Sequence, residues 1–387
     1  MKEFFIQQLL AKYKPRLVTV FGRHGREEAR DAISIVLGKH SPSFSSSADR
    51  FFDNLYKHLG GFAGVLTAFL TERSFPHFCV IDTHPDSDIY AKLMDVMGLD
   101  LAVIVAVGDI PSYTEVFAGA QKYSEKVARE SRKARHIIYT YDDETIRGLI
   151  SAVPVSMRSY GFDQGADIRI DSAQDWIYIK QKTSGGITLK AEYEGSLVPF
   201  NILNCYGKKN IYASCTALAA ARFYEINFIS ASQDIKEYIS PPHSLRLRNG
   251  IKSTALITHY KNVTPLSARE AIEIVGNMRE EGDADRVIII LADVLLRVHE
   301  EAESLHRVLG EMVAHNADEV ILIGERVIFT EKEALTHNMR KEGISRHATA
   351  KEAMRDIIDT IREHDVILVL GSKEMGLKEI IDEIIER

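Results

Sequence analysis

Short apolar runs of five to seven residues recur along the first third of the chain: LVTVF at 17–21, FCVID at 78–82, LAVIVAV at 101–107 and HIIYT at 136–140. Helical patterns lie between them. A strand that reads as continuous apolar residues is buried on both faces, and a largely parallel sheet wrapped by helices buries strands in that way. From about Val153 to Leu203 the pattern changes to alternating strands broken by glycines, ADIRI, DWIYIKQK, GITLKAEYEG and LVPFNIL, which predicts an antiparallel extension of the same sheet system. A long helix follows over about 209–224, and a short one ends before Pro241-Pro242, the strongest linker signal in the chain. Beyond it a second α/β pattern begins: STALITHY (253–260), a helix from about Ser267 to Arg279, RVIIIL (286–291), a helix through His299 to His315, EVILIG (319–324) and DVILVLG (365–371) before a closing helix. The expected fold class is therefore α/β throughout. A mostly parallel sheet with an antiparallel extension fills a domain at 1–240, and a smaller doubly wound domain follows at 241–387. The serine cluster at 41–47 is expected to be a short loop.

With 387 residues, 45% apolar and 27% charged, the chain can bury a large core. No stretch approaches the ~20 apolar residues of a membrane helix. The N-terminal MKEFFIQQLLAKYKPR has neither a long apolar core nor a small-residue cleavage site, so a cytoplasmic location without membrane insertion is expected. Cys79, Cys205 and Cys215 all sit in apolar segments and read as reduced core residues. The net charge of −7 argues against a general nucleic-acid binder, because duplex affinity comes mostly from cations on phosphate.

Residues 17–37 have the layout of a phosphate-binding loop: a strand, then Gly22 and Gly25, then an amphipathic helix. In the working motif a Lys follows the second glycine and a Ser or Thr after it holds Mg²⁺. Here those positions are Arg26 and Glu27. A plain strand-to-helix bend, with Glu27 and Glu28 favoured at a helix N-terminus, explains the same residues. In doubly wound sheets ligands sit beyond the carboxyl ends of the strands. Asp293 follows RVIIIL, with His299 and His306 after it, and Gly371-Ser372-Lys373-Glu374-Met375-Gly376 follows DVILVL. Each has a structural alternative: Asp293 as a helix cap, His299 and His306 as one solvated face beside Glu300 and Glu303, and Trp176, Tyr178 and Tyr193 as strand packing.

In these segments the chain resembles the Mur ligases, and among them the MurF-type enzymes that add D-alanyl-D-alanine to a peptidoglycan precursor. That family ends with L-G-D-M-x-E-L-G…H…G and K-G-S-R-x-M segments, which stand here as LADVLLRVHEEAESLHRVLG and LGSKEMG. Tyr260-Lys261-Asn262-Val263-Thr264-Pro265 resembles its Y-N-A-N-P turn with one residue inserted. The resemblance implies substrate contacts at Tyr260, Asn262, Asp293, Ser372 and Met375. Upstream it places Asn210 on an adenine-binding Asn, with Lys209 and Ala213 replacing the flanking His and Asn. It puts Gly22, Gly25 and Arg26 on the nucleotide phosphates and Asp82 on a Mg²⁺-binding Glu. It sets Pro111 on a metal-binding His, and Lys126 near a Lys that many members carbamylate to hold a second metal. Lys126 also reads as a surface lysine in a run of alternating charge.

The departures cluster on ATP and Mg²⁺: Arg26 for Lys, Glu27 for Thr, Pro111 for His, and Thr258-His259 where an acidic pair precedes the Tyr. Around Ser244-Leu245 the ribose-side Gly-Arg is also replaced. A planar guanidinium does not substitute for a compact ammonium in a tight loop, and losing one electrostatic contact of this kind costs ~10²- to 10³-fold in rate. Only about fifteen residues precede the first strand, so the family's N-terminal UDP-sugar domain is not expected. Two readings stay open. One is a diverged ATP-dependent amide ligase on a non-UDP substrate, with ATP and Mg²⁺ as cofactors and Lys126 and Asp82 as catalytic residues. The other, favoured by the clustering of the losses, is a catalytically silent homologue kept as a binding or assembly module without cofactor. Either takes a small-molecule or peptide ligand between the domains, and leaves room for a protein partner or a homo-oligomer. A nicotinamide-dependent dehydrogenase is weakly supported, since no Gly-x-Gly-x-x-Gly follows the first strand.

Overall fold

The computed structural model describes residues 2–22, 24–72, 75–105, 114–150, 153–179, 183–261, 263–294 and 299–386, with backbone alone at 114–122 and 299. Its chain divides into two compact units, one of Met1–Ala173, Thr188–Ile202 and Lys208–Ile239, the other of Gln174–Ile187, Leu203–Gly207 and Ser240–Arg387. Among the described residues no helix is long and apolar enough to cross a membrane.

The first sheet contains β1 (Arg16–Phe21), β2 (Ser43–Ser47), β3 (Phe78–Asp82), β4 (Leu101–Ile104), β5 (His136–Thr140), β6 (Ser156–Gly161), β7 (Ile168–Tyr178), β8 (Ser184–Tyr193) and β9 (Ser196–Leu203). They lie in the order β2-β3-β1-β4-β5-β6-β7-β8-β9. Every pairing from β2 to β7 is parallel, with register Val18↔Val80 and Val18↔Leu101 at the centre. The extension ends in a hairpin. Glu194 and Gly195 join β8 to β9 with φ of 49° and 73°, and a two-residue connection with both φ values positive is the primed turn that only antiparallel strands accept. The core of this unit gathers Phe21, Phe51, Ile81, Leu93, Ile104 and Ile137. The Lys208–Phe223 helix is buried through Asn210–Ala221, a run of mostly small side chains, and packs on the Arg26–Gly38 helix.

The second sheet contains β10 (Arg246–Gly250), β11 (Thr254–His259), β12 (Val287–Ala292), β13 (Glu319–Ile323), β14 (Ile344–His347) and β15 (Val366–Leu370), in the order β10-β11-β15-β12-β13-β14. Only β10 runs antiparallel, against β11. The chain leaves the far edge at β14 and returns to the centre as β15. The loops after β11, β12, β13 and β15 therefore all emerge at one carboxyl edge. The fold class read from the sequence, a mostly parallel sheet with an antiparallel extension and then a smaller doubly wound α/β unit, is the one observed.

Three local expectations are corrected. The antiparallel run expected from about Val153 does not start there, since β6 pairs parallel with β5 and β7 parallel with β6. The serine cluster is no loop, since Ser43–Ser47 forms the edge strand β2, pairing Phe44 with Cys79 and Ser47 with Asp82. Its pattern is period two, with Phe44 and Ser46 turned inward. Small hydroxyl side chains tolerate an edge strand, so polarity hid the alternation. ADIRI and DWIYIKQK are not separate strands but lie on one 11-residue strand, β7, because no glycine or proline interrupts IRIDSAQDWIY. Phe44 is 6% exposed and meets the Phe51 ring edge-on at 5.5 Å between centroids. Phe44→Ala is accordingly expected to lower stability by about 3 kcal/mol or more in urea unfolding; a loss under about 0.5 kcal/mol is the surface-loop value and would contradict this packing.

Candidate functional site

The loop between β1 and the Arg26–Gly38 helix is shaped by its two glycines. Gly22 has φ 139°, and a Cβ there would sit 2.4 Å from Val105 Cγ2 and 2.6 Å from Val105 O. Gly25, at φ 77°, is the N-cap of the helix. The Tyr123 hydroxyl closes on this turn, donating to Gly22 O at 2.8 Å and accepting from Gly22 N at 3.2 Å. Arg26 reaches across to the end of β3. Its Nη1 donates to Thr83 O at 2.8 Å, tying the first helical turn to the residue after β3. The next residue, Glu27, lies in the same first turn beside the buried Glu28.

Asp82 ends β3 and is 8% exposed. Arg30, one helical turn past Arg26, brings Nη1 to 2.5 Å from Asp82 Oδ1 and Nε to 2.7 Å from Asp31 Oδ1. Burial works against the Arg30 charge, but the two carboxylates outweigh it and hold the guanidinium above its ordinary value. Burial also raises Asp31, with Arg30 opposing. Mg²⁺ requires near-octahedral oxygen ligands at 2.0–2.1 Å and keeps several waters. A largely buried carboxylate already receiving a guanidinium does not offer that, and among the described residues no three His, Cys, Asp or Glu side chains are grouped to hold a metal. The residues at Asp82 do not fit Mg²⁺. Lys126 pairs with Asp86 at 2.6 Å on an exposed surface, and that hydrogen bond lowers the Asp86 carboxyl. Asn210 is fully buried, its Oδ1 accepting from the Tyr238 hydroxyl at 2.8 Å. Pro111 and Asn262 lie outside the described residues. Arg30, Thr83 and Tyr123 were not singled out from sequence, although Arg30 stands four residues beyond Arg26, the spacing that places two side chains on one helical face.

In the second unit Asp293, Gly371, Ser372 and Met375 come together at the carboxyl edge. Asp293 is 5% exposed. Its Oδ2 accepts from Glu325 N at 3.1 Å, its Oδ1 from Val327 N at 3.0 Å, and its main-chain oxygen from Ser372 N at 3.0 Å. It thus caps the Val327–Thr336 helix from a neighbouring strand, so the capping alternative holds, though for another helix. Gly324, at φ 119°, leaves the room this needs, since a Cβ there would be 2.5 Å from Asp293 Cγ. Met375 N bonds to Ser372 O at 3.1 Å, and Tyr260 and Met375 pack on the same apolar cluster. Gly371 N bonds to His259 O at 3.2 Å, joining the ends of β11 and β15.

His306 does not share a solvated face with the acidic residues around it. It is 0% exposed, accepting at Nε2 from Val294 N at 3.2 Å, with Nδ1 3.0 Å from Thr330 Oγ1. The main-chain donor at Nε2 leaves the proton on Nδ1, a neutral ring. Burial lowers its pKa to about 4, Asp293 opposing and Arg326 assisting.

Two measurements follow from this edge. Asp293→Ala leaves two enclosed N–H groups without an acceptor, and Gly324→Ala adds a side chain in a left-handed conformation against that carboxylate. Each is expected to cost at least about 2 kcal/mol in denaturant unfolding, whereas a residue kept only for a ligand would shift stability by less than about 0.5 kcal/mol. His306 carries a folded-state pKa below its unfolded one, so between pH 6.5 and about 4 the unfolded chain binds more protons. Its contribution is present above pH 6.5 and is lost as pH falls to about 4, by on the order of 3 kcal/mol. His306→Gln should flatten that part of the stability profile, and an unchanged slope would refute the neutral buried ring.

Residues 248–373 match the Mur ligase, glutamate ligase domain family. The UDP-N-acetylmuramoyl-tripeptide–D-alanyl-D-alanine ligase of Bacillus subtilis (strain 168) is 22% identical over 397 aligned positions, covering 98% of this chain and 79% of its own. The crystal structure of MurF ligase from Thermotoga maritima in complex with ADP superposes with a TM-score of 0.72 at 14% identity, over 99% of this chain and 82% of that one. MurF from Acinetobacter baumannii gives 0.73 at 13% identity, over 100% and 78%. Over residues 248–373 this chain is similar to the Mur ligase, glutamate ligase domain family, and over nearly its whole length it has the fold seen in the MurF ligases.

Proposed function

We propose that this protein is a MurF-like homologue whose ATP- and Mg²⁺-dependent amide ligation, the peptidoglycan-precursor reaction named in its relatives, is lost or strongly altered. Its fold is then kept as a binding or assembly module. In the family reaction an acyl phosphate is formed from ATP and a carboxylate, and an amine attacks it to give the amide. That chemistry needs positive charge delivered onto the β/γ-phosphates.

The observation that carries the reading is the Arg26 guanidinium on Thr83 O at 2.8 Å, with Glu27 following it. The one cation in the motif's phosphate position spends a donor on the chain itself, and a carboxylate stands where the motif places a Mg²⁺-binding hydroxyl. Asn210, assigned by resemblance to adenine, is enclosed and bonded to Tyr238. In this reading residues 1–240 are the relic of the nucleotide domain, and Tyr260, Asn262, Asp293, Ser372 and Met375 belong to a C-terminal ligand region in 241–387.

Calorimetry with ATP·Mg²⁺ at neutral pH is the test. The expected dissociation constant lies in the millimolar range or weaker, and the Arg26→Lys/Glu27→Thr double variant should bind at least about tenfold tighter, about 1.4 kcal/mol. Micromolar affinity in the wild type, or Mg²⁺-dependent phosphate release in the presence of an amino acid or dipeptide, would overturn the reading in favour of a diverged active ligase on a non-UDP substrate.

A further inference from the structure

Arg30 is the cation that the Asp82 carboxylate meets. Its guanidinium lies between Asp82 and Asp31, 2.5 Å from one carboxylate and 2.7 Å from the other. Its side chain is 15% exposed and that of Asp82 10%, so the pair is largely withdrawn from water. A third carboxylate, Glu28, is 6% exposed and adds its field at Asp31. The enclosed Asp82 at the strand end, with Glu28 and the half-buried Asp31 on the facing helix, requires a cation, and the chain supplies it covalently, from that helix. Arg30 is fixed in the fold by two carboxylates, so its charge does not depend on a solute.

We propose that Arg30 is the resident cation of this loop, occupying the position of a divalent metal. The Asp82 carboxylate is therefore closed to a divalent metal for as long as Arg30 holds it. The inference rests on the reading above in one respect, that Asp82 corresponds to the metal-binding position of the family. It differs in what it claims: a metal-independent site, whether or not nucleotide binds.

The probe is Mn²⁺, titrated into the full-length protein and followed by the electron paramagnetic resonance of the free ion. In the wild type, Asp82→Asn is expected to leave Mn²⁺ binding unchanged. Arg30→Gln uncovers Asp82 and Asp31 and should bind Mn²⁺ at least tenfold more tightly than wild type, and Arg30→Gln/Asp82→Asn should lose that gain. Arg30→Lys keeps a cation in place and should behave as wild type. The proposal is overturned if Asp82→Asn weakens wild-type Mn²⁺ binding tenfold, or if Arg30→Gln, folded by circular dichroism, gains none. Should those variants unfold, paramagnetic broadening in the wild type decides. Broadening centred on the amides of Gly22 and Thr83 overturns the proposal, and broadening spread over surface carboxylates supports it. Micromolar ATP·Mg²⁺ affinity in calorimetry would defeat the functional reading alone, because the Mn²⁺ response of Arg30→Gln is read without nucleotide.

Discussion

A carboxylate withdrawn from water at the end of a strand must find its counter-charge or its donors within reach, and three such groups organise the two units of this protein, Asp82 and Asp293 buried and Asp142 half-buried. Asp82 takes the Arg30 guanidinium. Asp293 takes the N–H groups of Glu325 and Val327. Asp142, the second residue beyond β5, takes the Tyr212 hydroxyl at 2.7 Å and the main-chain N–H groups of Phe162 and Asp163 at 2.9 and 3.0 Å. Leaving one such group unpaired costs several kcal/mol, so each fixes its neighbours. Asp82 locks the Arg26–Gly38 helix to β3, Asp142 ties the Lys208–Phe223 helix to the loop after β6, and Asp293 joins the ends of β12, β13 and β15.

The glycines follow from these placements rather than from ligand access. Gly161 has Asp142 Oδ1 only 2.3 Å from where its Cβ would be, and Gly324 stands in the same relation to Asp293. In both cases a side chain would displace the carboxylate that holds the loop. Gly22 is constrained differently, by the approach of the Val105 backbone, and the Tyr123 hydroxyl takes both of its main-chain polar groups. A turn whose N–H is already given to a side chain has that much less to offer a phosphate.

What the sequence makes legible is whatever depends on apolar period. FCVID and HIIYT are strands at the predicted bounds, and the helices at 265–280 and 299–316 fall within two residues of their expected ends. Period fails where burial is carried by small or polar side chains. The Ser43–Ser47 strand hid behind serines, and His306 behind the acidic surface of its own helix, although it is the ring on which Val294 N rests. Pairings between distant segments leave no local trace at all. That Arg26 reaches Thr83, that Arg30 meets Asp82, and that Tyr123 reaches back to Gly22 are facts of three-dimensional neighbourhood. Only the i,i+4 spacing of the two arginines could have hinted at a shared target.

A retained motif is consequently a poor witness to a retained ligand. The residues of the LADVLLRVHEEAESLHRVLG segment that stand closest to the family pattern are the ones the fold itself uses. Asp293 caps a neighbouring helix, His306 braces the strand end, and Gly310 leaves no room for a Cβ, which would lie 2.6 Å from Thr330 O. Each would be kept by selection for stability alone, at a cost of about 2 kcal/mol or more per loss. The residues a phosphate would need carry no such structural duty in the working motif, and they are the ones replaced. Replacement at Arg26 and Glu27 beside persistence at Asp293 and His306 separates the positions the motif reserves for phosphate and Mg²⁺ from those the fold itself uses.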